Sequence, residues 1–307
     1  MAPLIIATRG SALALRQVDL VVEALRAAVP GIELETRVIR TEGDRDQTTP
    51  LEVIGGQGVF VKDIERALLA GEAHIAVHSL KDMPAQPPEG LTIGAVLHRE
   101  DPRDVLISRD GASIADLGPG ARIGTDSRRR AVQLLALRPD LEVVSIRGNV
   151  DSRLRKVDEG EYDGVVLAAA GLERLGLSHR VSHTFETDEM LPAVGQGVIA
   201  IQCRSDDAET RDLLRKVDHA PTRAAITAER AFLRRLGSGC RLPVGAYAEL
   251  NGTALNLRAF VADDAGRMHK GRSTAVDRVA EITGRTLAER LLMAVEQAGS
   301  AATLDRR

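Results

Sequence analysis

The chain has 307 residues, a formal net charge of −3, 44 % hydrophobic and 28 % charged side chains, the profile of an ordinary folded protein with room for two or three domains. Aromatic residues make up 2 % and tryptophan is absent, so the cores rest on aliphatic side chains, and a single-strand nucleic-acid binder that stacks bases on rings is disfavoured. No global basic field advertises DNA or a lipid surface; the start, "MAPLIIATRGSALALRQ", lacks a signal peptide's basic n-region, and no run reaches the ~18 apolar residues of a spanning helix.

In chain order, Leu4–Thr8 reads as a buried strand, followed by a helix capped by Ser11 with Leu13, Leu15, Val18, Val22 and Leu25 at helical spacing. A strand is predicted over Leu34–Arg40, a helix over Val59–Leu69, a strand over His74–His78 and another over Leu91–Leu97. The polar segment "HREDPRD" (His98–Asp104) reads as a crossover, after which the same grammar restarts. Strands are predicted over Val105–Ser108, Arg122–Gly124, Glu142–Ile146 and Gly164–Ala168, and helices over Ser127–Leu137, Val150–Glu159 and a short stretch to Leu175. Alternating strands and helices imply two α/β lobes with mostly parallel, covered sheets. "GVIAIQ", just before Cys203, is a further apolar strand. From about Pro221 the pattern changes to a long helix, Thr222–Leu236, then strands Val244–Leu250, Ala254–Ala262 and Arg267–Ser273, and a last helix from Asp277 to about Gln297. That succession predicts a small C-terminal α+β domain with an antiparallel sheet.

Two segments echo one another. "IATRGSALALRQ" and "RIGTDSRRRAVQ" each run from a strand through Thr and Ser into a helix, with arginine at the turn. A helix N-terminus with free N–H groups, a hydroxyl and a guanidinium is an anion-binding arrangement, and α/β proteins hold ligands beyond the strand ends. One such arrangement in each lobe predicts a ligand held by both. Arg9, Arg128, Arg129, Arg130, Arg147, Arg153 and Arg174 cluster at strand ends and helix starts; a solvated surface is the plain alternative to a polyanion site. Arg129 and Arg130 occupy a first helical turn, where the dipole disfavours cations, which favours the polyanion.

"AVHSLKDMP" ends a buried strand in Ser79, Lys81 and Asp82. A carboxylate beside a lysine at a strand end is placed to exchange a proton or stabilise a cation, although a surface ion pair is an equal reading of those residues alone. His74 and His78 lack a third ligand and the glutamate of the helical zinc motif, so they read as packed or capping side chains and no metal is expected. Two cysteines are too few for a disulfide framework, which predicts free thiols and a cytoplasmic protein. Cys203 reads as a quiet core residue. Cys240, framed by glycines in "LGSGCRLPVG" and next to Arg241, reads as a reactive or modified thiol.

The segments "IATRGSALAL", "GVFVKDIERALL", "IAVHSLKDMP", "REDPRD", "GTDSRRR", "RGNVDSRL", "LAAAGLERLGL", "PAVGQG" and "GCRLPVGAYA" together resemble the porphobilinogen deaminase (hydroxymethylbilane synthase) family over nearly the whole chain. The resemblance implies two lobes like those of periplasmic binding proteins, 1–99 with 197–219 and 100–196, and a third domain, 220–307, holding the cysteine. It implies a transferase that condenses porphobilinogen into a linear tetrapyrrole, with a dipyrromethane cofactor attached to Cys240 by a thioether bond. Asp82 would support loss of ammonia from porphobilinogen and stabilise the azafulvene cation that results. Arg9, Ser11, Ser79, Lys81, Thr125, Ser127, Arg129, Arg130, Arg147, Gly148, Arg153, Arg174 and Gln196 would bind the acetate and propionate groups of cofactor and substrate, with Phe60 near the pyrroles. A monomer without nucleic-acid or membrane partners is implied too.

Three positions depart from the family pattern: Gln57 and Val53 replace lysines found in relatives, and Arg128 stands where leucine is common. Two other readings stay open on the residues. One is a solute-binding module whose arginines grip a dicarboxylate, which leaves Cys240 and the third domain without a role. The other is a cysteine hydrolase, for which no histidine is close to Cys240 in sequence.

Overall fold

A computed structural model describes residues 3–41, 61–237 and 242–304, the last five without their side chains. In chain order its elements begin β1 (Leu4–Thr8), α1 (Ala12–Ala28), β2 (Leu34–Val38), α2 (Lys62–Leu69), β3 (Ile75–Ser79), β4 (Leu91–Val96) and β5 (Asp104–Ser108). Next come β6 (Arg122–Gly124), α3 (Arg128–Leu137), β7 (Glu142–Val144), α4 (Val150–Asp158), β8 (Gly164–Ala168), α5 (Ala169–Arg174) and β9 (His183–Thr184). The chain ends with β10 (Ile199–Arg204), α6 (Ala208–Arg215), α7 (Ala220–Leu236), β11 (Val244–Asn251), β12 (Ala254–Ala262), β13 (Met268–Val276) and α8 (Ala280–Leu304).

The chain divides into two compact units, Met1–Asp101 with Glu173–Gly176 and Gly197–Arg223, and Pro102–Leu172 with Leu177–Gln196 and Ala224–Arg307. The first holds a sheet of order β2-β1-β3-β10-β4. Its β1 and β3 are apolar on both faces because both faces are covered. Ile6 and Val77 pack with Val18, Val21 and Leu25 of α1, while Ala7 and Ala76 pack with Ile64 and Leu68 of α2. Each large aliphatic side chain buried this way contributes roughly 1.5–3 kcal/mol.

The second unit holds a sheet of order β7-β6-β8-β5-β9 and a three-stranded antiparallel sheet β11-β12-β13 backed by α7 and α8. Gly284 permits the close approach of those helices, since a Cβ there would lie 2.0 Å from the Ala228 carbonyl oxygen. Leu191 packs with Tyr247, Phe260 and Ala262, joining the loop after β9 to the three-stranded sheet.

Both five-stranded sheets mix directions. β1 is parallel to β2 and β3, as β6 is to β7 and β8, but β10 runs antiparallel to β3 and β4, and β5 antiparallel to β8 and β9. β5 and β10 are the strands by which the chain enters each unit from the other. They follow no crossover helix of their own sheet, so the rule that makes helix-connected strands parallel does not act on them. β2 ends at Val38, and β9 and α6 add a two-residue strand and an eight-residue helix that periodicity does not announce.

Candidate functional site

In the first unit the site is built at the carboxyl ends of β1 and β3. Ser11 caps α1, its Oγ accepting from the Ala14 N–H at 3.3 Å, and α1 has no acidic side chain in its first turn to compete for an anion. Beside it lies half-buried Arg9. β3 delivers Ser79, whose Oγ accepts from Gln17 Nε2 at 2.7 Å, and a single 3₁₀ turn, Leu80–Asp82, then carries Lys81 and the exposed Asp82. Arg9, Ser11, Gln17, His78, Ser79 and Asp82 line one cavity of about 60 Å³. The anion-binding cap and the carboxylate therefore share a wall of a single unit.

His78, in the wall of that cavity, has its Nε2 3.1 Å from Gln202 Oε1, and Gln202 Nε2 donates to Glu65 Oε1 at 3.0 Å. Burial lowers the His78 pKa to about 4; the Gln202 bond opposes the shift and the Arg9 charge adds to it. His74 instead accepts from the Ile5 N–H through Nδ1 at 2.9 Å. Each histidine of the H-x-x-x-H thus serves the fold through a ring nitrogen. Also in this unit, Arg174 Nε lies 2.6 Å from Glu100 Oε2, in an ion pair without hydrogen-bond alignment, and Arg174 donates to the Gly197 carbonyl at 2.9 Å. Burial pushes the Glu100 pKa up and the Arg174 pKa down, each against the attraction of its partner.

The second unit repeats the cap with a different outcome for its arginines. Ser127 caps α3 by accepting from the Arg130 N–H, and donates its own N–H to Thr125 Oγ1 at 3.2 Å. Arg129 and Arg130 turn inward onto Asp104, which is fully buried at the start of β5. Arg129 NH1 reaches Asp104 Oδ2 at 2.6 Å and NH2 reaches Oδ1 at 3.1 Å; Arg130 Nε reaches Oδ1 at 2.8 Å. Gln196 donates to the same carboxylate at 3.1 Å and to the Pro102 carbonyl at 2.6 Å. The two guanidinium groups also donate to the carbonyls of Leu191 and Val166. Arg129, Arg130 and Gln196, expected to face a bound polyanion, thus converge on one buried carboxylate.

A third N-terminus, that of α4, begins at Asn149, whose side chain accepts from the Ser152 N–H at 3.0 Å. Gly148 enters it at φ +115°, where an added Cβ would meet Ser152 Cβ at 2.8 Å, so the turn needs glycine. Arg153 Nε donates to the Gly148 carbonyl at 2.8 Å, and Arg147 precedes it. Three arginine nitrogens are buried without a hydrogen-bond partner among the described residues, Arg129 Nε, Arg147 NH1 and Arg174 Nε, the last of them ion-paired with Glu100. Cys240 and Phe60 lie outside the described residues, as do Gln57 and Val53; Arg128 is exposed.

Asp104, Glu100 and Gln17 were missed from sequence, and each left a signal. Asp104 is a charge heading the apolar run "DVLIS", and Gln17 is a polar residue four places from Leu13 and Val21 on the apolar face of α1. Glu100 shares the segment "HREDPRD", which read only as a polar crossover.

The fold and these side chains define an α/β protein whose sheets end in hydroxyl-capped, arginine-bearing helix starts, a class suited to carboxylated ligands. Comparison with known proteins narrows the class. Residues 4–212 match the family model "Porphobilinogen deaminase, dipyromethane cofactor binding domain" and residues 223–293 match "Porphobilinogen deaminase, C-terminal domain". The chain is 51 % identical over 291 residues to the porphobilinogen deaminase of Roseiflexus sp. (strain RS-1), covering 94 % of this chain and 95 % of that one. The porphobilinogen deaminase of Brevibacillus brevis is 47 % identical over 289 residues, 94 % of this chain and 93 % of its own. Among solved structures, a double mutant of the BvgS VFT2 domain of Bordetella pertussis aligns at 18 % identity and TM-score 0.43, over 70 % of this chain and 85 % of that one. The chain belongs to the porphobilinogen deaminase family.

Proposed function

We propose that this chain is the transferase that deaminates four porphobilinogen molecules and joins them head to tail into the linear tetrapyrrole hydroxymethylbilane, releasing ammonia. The observation that carries this reading is the match of both family domains, 4–212 and 223–293, along one chain. The residues present fit the family's dipyrromethane cofactor. A group bearing several carboxylates suits the orphaned buried donors Arg147 NH1 and Arg129 Nε and the serine-capped start of α3, all in the second unit. When bound, the dipyrromethane supplies the primer on which the pyrrole chain grows.

Cys240 holds the cofactor through a thioether, and its thiol is matched to that task by flanking glycines and Arg241. Arg9, Ser11, Ser79 and Lys81 bind acetate and propionate groups in the first unit. Thr125, Ser127, Arg147, Gly148 and Arg153 do so in the second, and Arg174 in the first. Arg129, Arg130 and Gln196 support the same groups from their places around Asp104, with Arg129 Nε left to donate, and Phe60 lies near the pyrrole rings. Asp82 places negative charge where porphobilinogen becomes cationic on losing ammonia; a fixed carboxylate lowers the cost of that charge and can exchange a proton with the ring nitrogen. The domains run 1–99 with 197–219, 100–196 and 220–307, and the protein acts as a cytoplasmic monomer on small pyrroles. No helix among the described residues is long and apolar enough to cross a membrane.

Intact mass spectrometry tests the reading. The purified protein is expected to be heavier than its sequence by one dipyrromethane unit and to convert porphobilinogen with release of ammonia, and Cys240→Ser is expected to lose both the added mass and the turnover. An unmodified mass in a fully active protein overturns it.

A further inference from the structure

From the wall of the cavity of Arg9 and Asp82, three polar side chains run inward in a chain that the proposed chemistry does not use. Glu65 stands in the first turn of α2, Gln202 on β10 and His78 on β3, at 7 %, 0 % and 5 % exposure. Their order of hydrogen bonds is fixed by valence. A carboxylate only accepts, so the amide nitrogen of Gln202 must face Glu65, as it does at 3.0 Å. Gln202 therefore turns its oxygen to His78 Nε2 at 3.1 Å, and that nitrogen must carry the ring's hydrogen. Nδ1 is then a bare lone pair. It bonds no other described residue, and His78 lines the cavity that holds Asp82.

The rest of the cavity wall shows what that lone pair is for. Arg9 donates. The Ser11 and Ser79 hydroxyls already accept, from Ala14 N–H and Gln17 Nε2, and keep their hydrogens to give. These donors suit carboxylates. A pyrrole substrate also brings N–H donors, which need acceptors, and the wall answers with Asp82 and with His78 Nδ1. A protonated His78 would donate from both nitrogens beside the Arg9 charge; burial and Arg9 both keep it neutral.

We propose that Glu65 and Gln202 are positioning residues that lock His78 as its Nε2–H tautomer, so that Nδ1 is a fixed acceptor for an N–H group of the pyrrole substrate. This rests on reading the cavity as the reaction site.

Long-range ¹H–¹⁵N correlation on histidine-labelled holoenzyme is expected to show His78 as the Nε2–H tautomer at pH 7; the Nδ1–H tautomer overturns the proposal. Glu65→Gln puts a group that both donates and accepts at the end of the relay, so Gln202 can flip and both tautomers are expected. KM for porphobilinogen then rises about tenfold, the size of one net hydrogen bond, with kcat within about twofold. A shifted tautomer with unchanged KM, or a loss confined to kcat, overturns the role. If Glu65→Gln fails to fold, His78→Asn asks the same question, because its amide oxygen reaches the Nδ1 position. It is expected to hold KM within about threefold where His78→Phe loses about tenfold, and equal losses overturn the role. A porphobilinogen analogue with methyl in place of aminomethyl separates the two N–H sources: weaker inhibition of Glu65→Gln assigns the ring N–H, undiminished inhibition the amine. A holoenzyme mass without dipyrromethane sinks the underlying reading and leaves the tautomer result standing.

Discussion

The helix starts at α1 and α3 come from nearly the same string, strand–Thr–Ser–helix with arginine beside the turn, and the two units use it in opposite ways. At α1 the arginine precedes the cap, and Arg9 lines a cavity with Asp82. At α3 the arginines follow the cap, and Arg129 and Arg130 are drawn inside onto Asp104. A shift of a few residues across a serine cap decides whether a guanidinium lines an open cavity or holds elements together. In the second unit the triad ties α3 to β5, and through carbonyl bonds to β8 and to the loop before Gln196. Among the buried arginine nitrogens of that unit, Arg129 Nε and Arg147 NH1 keep no hydrogen-bond partner among the described residues.

The comparison breaks most visibly at its carboxylates. Asp104→Ala leaves two buried guanidinium groups without their counter-ion and is expected to destabilise the protein by about 3–5 kcal/mol, read from urea unfolding. A loss under about 1 kcal/mol would mean that the two arginines are not held by Asp104 in solution. Asp82→Asn, on the exposed turn of the other unit, is expected to leave the unfolding midpoint unchanged while turnover falls about a thousandfold. Substantial activity in that variant would remove Asp82 from the chemistry.

The smallest of the three effects concerns His78. Its folded pKa of about 4 lies below the ordinary 6.5, so the unfolded chain binds the extra proton between those values. The stability this histidine confers is whole above pH 6.5 and is lost as pH falls toward 4, by about 3 kcal/mol in all. His78→Gln is expected to flatten the fall in unfolding free energy over that window relative to the wild-type chain. Parallel curves for the two proteins would show that His78 is not buried neutral.

Much of this was legible in the residues. The strand at Leu4–Thr8, the Ser11 and Ser127 caps and the C-terminal run of three strands follow from local spacing and side-chain chemistry, and they appear where those place them. Asp82 and the basic cluster stood out for the same reason. The directions of β5 and β10 were not legible, because strand direction across a chain crossover is set by which neighbours are left to pair with, not by period. Nor could spacing say that Arg129 and Arg130 point inward, since their position in a first turn fits an anion outside as well as one within.

The sequence by itself determined the order of elements apart from β9 and α6, the helix starts, the placement of hydroxyls and arginines at strand ends, and the family, because these depend on neighbours a few residues apart. Only the tertiary structure decided which charges meet. Asp104 gathers Arg129 from 25 residues away and Gln196 from 92, and Gln202 reaches His78 across 124 and Glu65 across 137. No local pattern encodes such pairings. They follow from removing these groups from water, where each buried donor and acceptor must find the partner that the packed fold brings to it.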